Sequence, residues 1–241
     1  MHEWETAETI DATSDLSGNI YLTDNNGAIT KFDQNGIYQI SYSGSGMTPV
    51  SSIDVSHITK IFGFYQESQS YILLDRFLNP LTASELNPAT SGFVTAAAYG
   101  ADNNLWIFDQ SNLSIKRINL LNDVLITSNA VPLLLGGDEW DLIQMEEYQN
   151  RLYLLNMDKK VYVFDNLGNY IRELEIRSDC KFSFQEGKLM YVRDGEVMSY
   201  DLYDNTQSAL GRINNSKGLI KVISNNNFIY LVHRNKISAY Q

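Results

Sequence analysis

A chain of 241 residues with 44 % hydrophobic content can bury one large core or two small ones. Its formal charge of −11 repels nucleic-acid phosphates and anionic lipid, which argues against both as partners. The longest apolar run, AVPLLL at residues 130–135, is far too short to cross a bilayer, and the single cysteine, Cys180, rules out an intrachain disulfide or a thiolate zinc site.

The N-terminal MHEWETAETI is acidic and polar, unlike a signal or transit peptide. It fits a cytosolic protein or a mature form whose leader has been replaced by a start Met. Beyond it, TIDATS and IYLTD flank a Gly18-Asn19 turn, and AITKF follows DNNG. The alternation of apolar and polar positions reads as strands with unlike faces, and the 23 asparagines supply residues that tolerate left-handed backbone in turns. YQISYSG extends the group to four strands, and GSGMTP follows as a loop.

The second group reads ITKIF, then SYILLD, then FLNPLTA, whose Pro80 cannot donate to a central ladder. The third reads VTAAAY, LWIFD, SIKRINL and VLITSNAV. The fourth reads DLIQMEEY, RLYLLN, KVYVFD and YIRELEI; its apolar spacing resembles a helix in part, but its place in the repeat assigns a strand. CKFSF, KLMYVRD, EVMSYD and SALGRI make the fifth, and LIKVIS, IYLVH and KISAY the sixth.

Aromatic anchors recur at Tyr21, Tyr71, Trp106, Tyr153, Tyr191 and Tyr230, with spacings of 50, 35, 47, 38 and 39 residues. The mean, about 42, is that of a four-stranded propeller blade. One such sheet cannot bury both faces, whereas six stacked radially cover one another and leave few open edges. The fold class is therefore all-β, a six-bladed β-propeller forming a single domain over residues 1–241. The sixth group lacks a fourth strand, so the segment HEWETAE is expected to supply it and close the ring, with Trp4 as a core anchor.

GNIYLTDNNGAITKFDQNG resembles the NHL-type propeller repeat through Gly18, Asn19, Ile20, Tyr21, Asp24, Ile29, Phe32, Asp33 and Gly36. The fourth repeat matches less fully, through Tyr153, Val161, Phe164, Asp165 and Gly168. The chain is also similar to the TolB-like propellers of Bacteroidota envelope proteins. This resemblance implies a ligand face and a central channel, and no single activity. Its members include enzymes, protein or RNA binders and subunits of envelope machines, the RNA binders using basic faces.

The three histidines, His2, His57 and His233, lie in different repeats without metal-ligand spacing. No GxSxG, phosphate-binding loop or GxGxxG is present, and DNNG lacks the ligands of a calcium loop. Cys180 reads as a buried, inert thiol. Similarity to lactonase-like six-bladed enzymes would imply carboxylates and amides around a divalent metal. Asp11, Asp141, Glu146, Asp179 and Asn225 or Asn226 are the candidates, but the apolar strands ITKIF and VTAAA leave that ring incomplete. No cofactor, metal or catalytic residue is assigned.

The expected role is a non-catalytic protein-binding scaffold or accessory subunit of an extracytoplasmic export or surface-assembly complex, without membrane insertion. A small-molecule or glycan binder is the alternative, and a metal-dependent hydrolase a further one. Two loops between blades stand out, GSGMTP and residues 134–140. Asp138, Glu139 and Trp140 of the second are the candidate partner-binding residues, Trp140 serving as an exposed anchor or as a core residue at the start of the next strand.

Overall fold

Side chains of Asp and Asn close the hairpins along the chain. Asp33 Oδ1 accepts from the amides of Asn35 and Ile37, and Asp75, Asn119 and Asp165 accept from the same two positions of their own turns, all at 2.8–2.9 Å. These Asx turns fix where each strand stops. The structure, a computed structural model, describes all residues except 1, 45–47, 58, 138–139, 214–215 and 226.

After β1 (His2–Glu5), blade I contains β2 (Thr9–Ser14), β3 (Ile20–Asp24), β4 (Ala28–Phe32) and β5 (Tyr38–Ser43). Blade II contains β6 (Ser52–Asp54), β7 (Ile61–Tyr65), β8 (Ser70–Leu74) and β9 (Pro80–Glu85), followed by helix α1 (Pro88–Ser91). Blade III contains β10 (Val94–Tyr99), β11 (Leu105–Asp109), β12 (Ser114–Ile118) and β13 (Val124–Thr127), followed by α2 (Val131–Leu135). Blade IV contains β14 (Leu142–Tyr148), β15 (Arg151–Asn156), β16 (Val161–Asp165) and β17 (Tyr170–Glu173). Blade V contains β18 (Ser183–Gln185), β19 (Lys188–Arg193), β20 (Glu196–Asp201) and β21 (Gln207–Arg212). Blade VI contains β22 (Leu219–Ser224), β23 (Ile229–His233) and β24 (Lys236–Tyr240), and β1 pairs antiparallel with β24 as its outer strand. Each blade is a four-stranded antiparallel sheet, and together they form the six-bladed propeller.

The core lies between blades. On β15, Leu152 and Leu154 pack toward blade III with Trp106 and Phe108, while Tyr153 and Leu155 pack toward blade V with Phe182 and Tyr191. Period-two alternation thus serves two neighbours with one strand. The same division produces clusters between blades I and II, II and III, V and VI, and VI and I. Trp4 of β1 is half-buried against the last of these. Its ring lies over Gly36, where a Cβ would meet the indole at 2.5 Å; at φ +81° the turn also favours glycine.

Blade II departs from the sequence expectation. Tyr71 lies on β8, the third strand, and Phe62 on β7 takes the place that Tyr21 has on β3. The inner strand is only the three residues of β6, too short to show an alternation, so the repeat spacing places this blade's anchor one strand late. Tyr71 still fills the layer between blades II and III beside Phe62. Pro80 opens β9 at the outer edge, where its missing N–H breaks no central ladder. The expected strand VLITSNAV ends at Thr127, and Val131 begins the one-turn helix α2, with Pro132 in its first turn.

Candidate functional site

The innermost strands line a central channel, and a recurring irregularity aims their side chains. The pairing register shifts between Thr9 and Asp11 in β2, Val94 and Ala96 in β10, Leu142 and Gln144 in β14, and Leu219 and Lys221 in β22. A bulge re-aims the residue after it, and Asp11, Gln144 and Lys221 line the channel. Asp54, Glu146 and Lys181 complete the charged group.

Asp11 sits at its centre. Its carboxylate accepts from the amides of Ala12 at 2.8 Å and Ile53 at 3.3 Å, and pairs with Lys181 at 3.2 Å and Lys221 at 3.7 Å. Burial pushes the Asp11 carboxyl up, but the two ammonium groups and the Ala12 amide outweigh it and hold the group below the usual range. Lys181 is drawn down by burial against the pull of Asp11, and donates to the Ser51 carbonyl at 3.2 Å. Gln144 ties blade IV to blade V: its Oε1 accepts from Phe182 N at 2.8 Å, and its Nε2 donates to the Phe182 carbonyl at 3.0 Å and to Glu146 at 2.7 Å.

Three carboxylates face two lysines here. Glu146 takes up the difference: burial, with Asp54 and Asp11 adding to it against Lys221, pushes its carboxyl up to about 7. Space in the channel amounts to about 30 Å³, room for water and little else. Two lysine ammonium groups lie among these carboxylates and pair with Asp11, and they would repel a divalent cation, so the donor set does not fit the lactonase-like centre. Among the described residues, no group of three or more His, Cys, Asp or Glu could hold a metal ion.

The remaining candidates do not converge on the channel. Asp141 is exposed, and its amide donates to Asn156. Asp179 pairs with Lys159 at 2.6 Å and accepts from Asp194 N. Asn225 closes a turn and donates to the Tyr230 hydroxyl, and Asn226 lies outside the described residues. Burial pushes the Cys180 thiol up to about 12, far from a nucleophile's range. Sequence reasoning missed Asp54, Lys181 and Lys221; the position after each inner-strand bulge was the signal for Lys221, and it is invisible until the pairing is known.

Trp140 is a core residue. It is 4 % exposed, packs on Tyr162 at a ring distance of 5.0 Å and donates Nε1 to the Gly136 carbonyl at 3.1 Å. Of an exposed anchor and a core residue, it is the second: the indole is withdrawn from solvent because it fills the layer between blades III and IV. Asp138 and Glu139 lie outside the described residues, as does part of the GSGMTP loop.

The opposite face carries a different pattern. Each blade runs up and down, so turns joining its first two and last two strands share one face of the ring. In the outer turns of blades II to V, the residue two after the capping Asp or Asn is Phe77, Leu121, Leu167 and Tyr203. These side chains are 56–82 % exposed. Blade I has Asn35 at that position but presents Ile37 and, on its inner turn, Leu16.

No protein family matches the chain, and no curated protein matches it. Among solved structures it is similar to the virginiamycin B lyase of Staphylococcus aureus, at 14% identity and a TM-score of 0.62 over 97% of this chain and 80% of that one. It is similar to BamB from Moraxella catarrhalis at 13% identity and a TM-score of 0.55, covering 95% and 83%. It is also similar to the WD40 domain of Pan2 from Neurospora crassa, at 8% identity and a TM-score of 0.60, covering 94% and 76%. At these identities the likeness shows the propeller fold, which is shared by a lyase, BamB and a WD40 domain.

Proposed function

We propose that this chain is a non-catalytic protein-binding scaffold or accessory subunit, working in an extracytoplasmic export or surface-assembly complex. The observation that carries the binding role is the set of exposed apolar side chains at one position of four successive outer turns, all on one face. Single exposed hydrophobes are ordinary on a protein surface. Their repetition at one place in a rigid ring is what suits a broad protein partner, because aromatic and aliphatic anchors dominate interface energetics. The salt-linked channel supports the same reading, since its lysines and carboxylates neutralise one another and leave little room for a substrate.

Crosslinked affinity purification from the native host, read by mass spectrometry, tests the proposal. The wild-type chain is expected to retain a stoichiometric envelope partner. The variant Leu121→Ser, Leu167→Ser, Tyr203→Ser is expected to lose it at an unchanged melting temperature, because exposed positions contribute only about ±0.5 kcal/mol each to stability. Equal retention by both proteins removes the turn face, and a wild-type chain that comes down alone removes the scaffold role.

A further inference from the structure

We infer that the recess between blades I and II on the turn face binds a small organic anion, with a phosphate monoester the class that fits its charge. This inference does not rest on the scaffold reading. The recess has a volume of about 290 Å³ and is lined by Lys31, Lys60 and Arg76, with Asp15 as its single carboxylate. In a chain of net charge −11, three cations in one concavity run against the overall composition. Among the described residues none of the three makes an ion pair, although ten other lysines and arginines do.

Neutral groups hold these cations in place. Lys60 Nζ donates to the Tyr99 hydroxyl at 3.0 Å and to Asn103 Oδ1 at 2.8 Å. Lys31 Nζ lies over the Tyr21 ring at 5.3 Å, and the Arg76 guanidinium over the Phe77 ring at 4.7 Å. Such contacts orient a charge without cancelling it. Asp15 is fully engaged in its own turn: Oδ1 accepts from the amides of Ser17 and Asn19, and Oδ2 from Asn19 Nδ2 and the Tyr21 hydroxyl, all at 2.8–2.9 Å. Asp75, next to Arg76, is held by Asn79 and Phe77, and the attraction of Arg76 is the smallest of the causes that keep its carboxyl low.

The lining therefore carries three formal positive charges against one negative, a surplus suited to a dianion, with Lys31 and Arg76 meeting it and Lys60, whose ammonium is turned to Tyr99 and Asn103 of blade III, adding its field from one side. Arginine's planar fork meets two phosphate oxygens at once, and the lysines add point charges. Val55 and Ile61 supply an apolar wall for the organic part of an ester. The volume sits at the lower end of small-ligand sites, which favours a compact molecule over a peptide.

Calorimetric titration of the full chain with phenyl phosphate at low salt tests this. Saturable one-to-one binding is expected, weakened about tenfold or more in Lys31→Gln and in Arg76→Gln, the loss of one charge-assisted hydrogen bond. The control Lys188→Gln, on blade V, should bind as wild type does, and so should the Leu121, Leu167 and Tyr203 variant. That last result keeps the fate of this site separate from that of the scaffold. If Lys31→Gln also lowers the melting temperature, the exposed Arg76 carries the comparison alone. No saturable binding by the wild-type chain, or equal binding by Arg76→Gln, overturns the inference. Equal affinity for inorganic phosphate overturns the ester and leaves a site for the free ion.

Discussion

Individual residues in this protein are governed by which layer they enter. Trp140 follows a polar loop, yet it is buried against Tyr162 and tied to Gly136. Trp140→Ala is therefore expected to cost about 3–5 kcal/mol, as for other large-to-small aromatic truncations in cores. Denaturant unfolding would show this as a lowered midpoint, whereas a pure interface residue would leave the midpoint in place. Glu146 answers to electrostatics. Its carboxyl is raised to about 7 from an ordinary 4.5, so the folded state binds the proton more tightly than the unfolded chain does. This group's contribution to stability is complete below the ordinary value and is lost as pH rises through about 7. Glu146→Gln keeps a neutral side chain at all pH values. Melting temperatures of wild type and variant should then diverge in the variant's favour between about pH 4.5 and 7 and run parallel above that; profiles parallel throughout would show that Glu146 titrates normally.

At the scale of elements, hairpins formed where local chemistry named them. DNNG, DQNG and the Gly18-Asn19 turn specify blade I without help from the rest of the chain. Blade II was harder to read because β6 has three residues and the long connection to β7 hides the first turn. The closing strand β1 was legible by elimination, since the sixth repeat has three strands of its own. It pairs from His2 opposite Ala239 to Glu5 opposite Lys236, and Glu3 accepts from Ser238 at 2.6 Å. Deleting residues 2–8 removes that ladder together with Trp4, exposes the edge of β24 and strips the indole from Gly36. A lowered melting temperature is expected in a thermal scan; an unchanged one would mean that the ring does not depend on this strand.

For the whole molecule, the two faces of the ring differ in what they present. One carries the apolar tips of the outer turns and the cationic recess between blades I and II, and the channel between the faces is filled with neutralising charge. A partner that docks on the tips should protect residues 75–79, 119–123, 165–169 and 201–206 from hydrogen exchange and leave the connections between blades unchanged. Protection of residues 134–137 instead would move the interface to the opposite face. The propeller is shared with a lyase, BamB and a WD40 domain, so the surface and not the fold has to carry any functional argument.

By itself the amino-acid sequence determined the strand period, the repeat of about 42 residues, the six-fold count and the closure, because these follow from local alternation, turn chemistry and the need to cover each sheet. Only the tertiary structure decided which residues meet. Lys181 and Lys221 reach Asp11 from blades V and VI, and Lys31, Lys60 and Arg76 gather across two blades. Those contacts depend on bulges, registers and radial stacking, in which a shift of one residue sends a side chain to the other face. The charges that define the channel and the recess are ordinary lysines and aspartates in the chain, and they acquire a role when the ring brings them together.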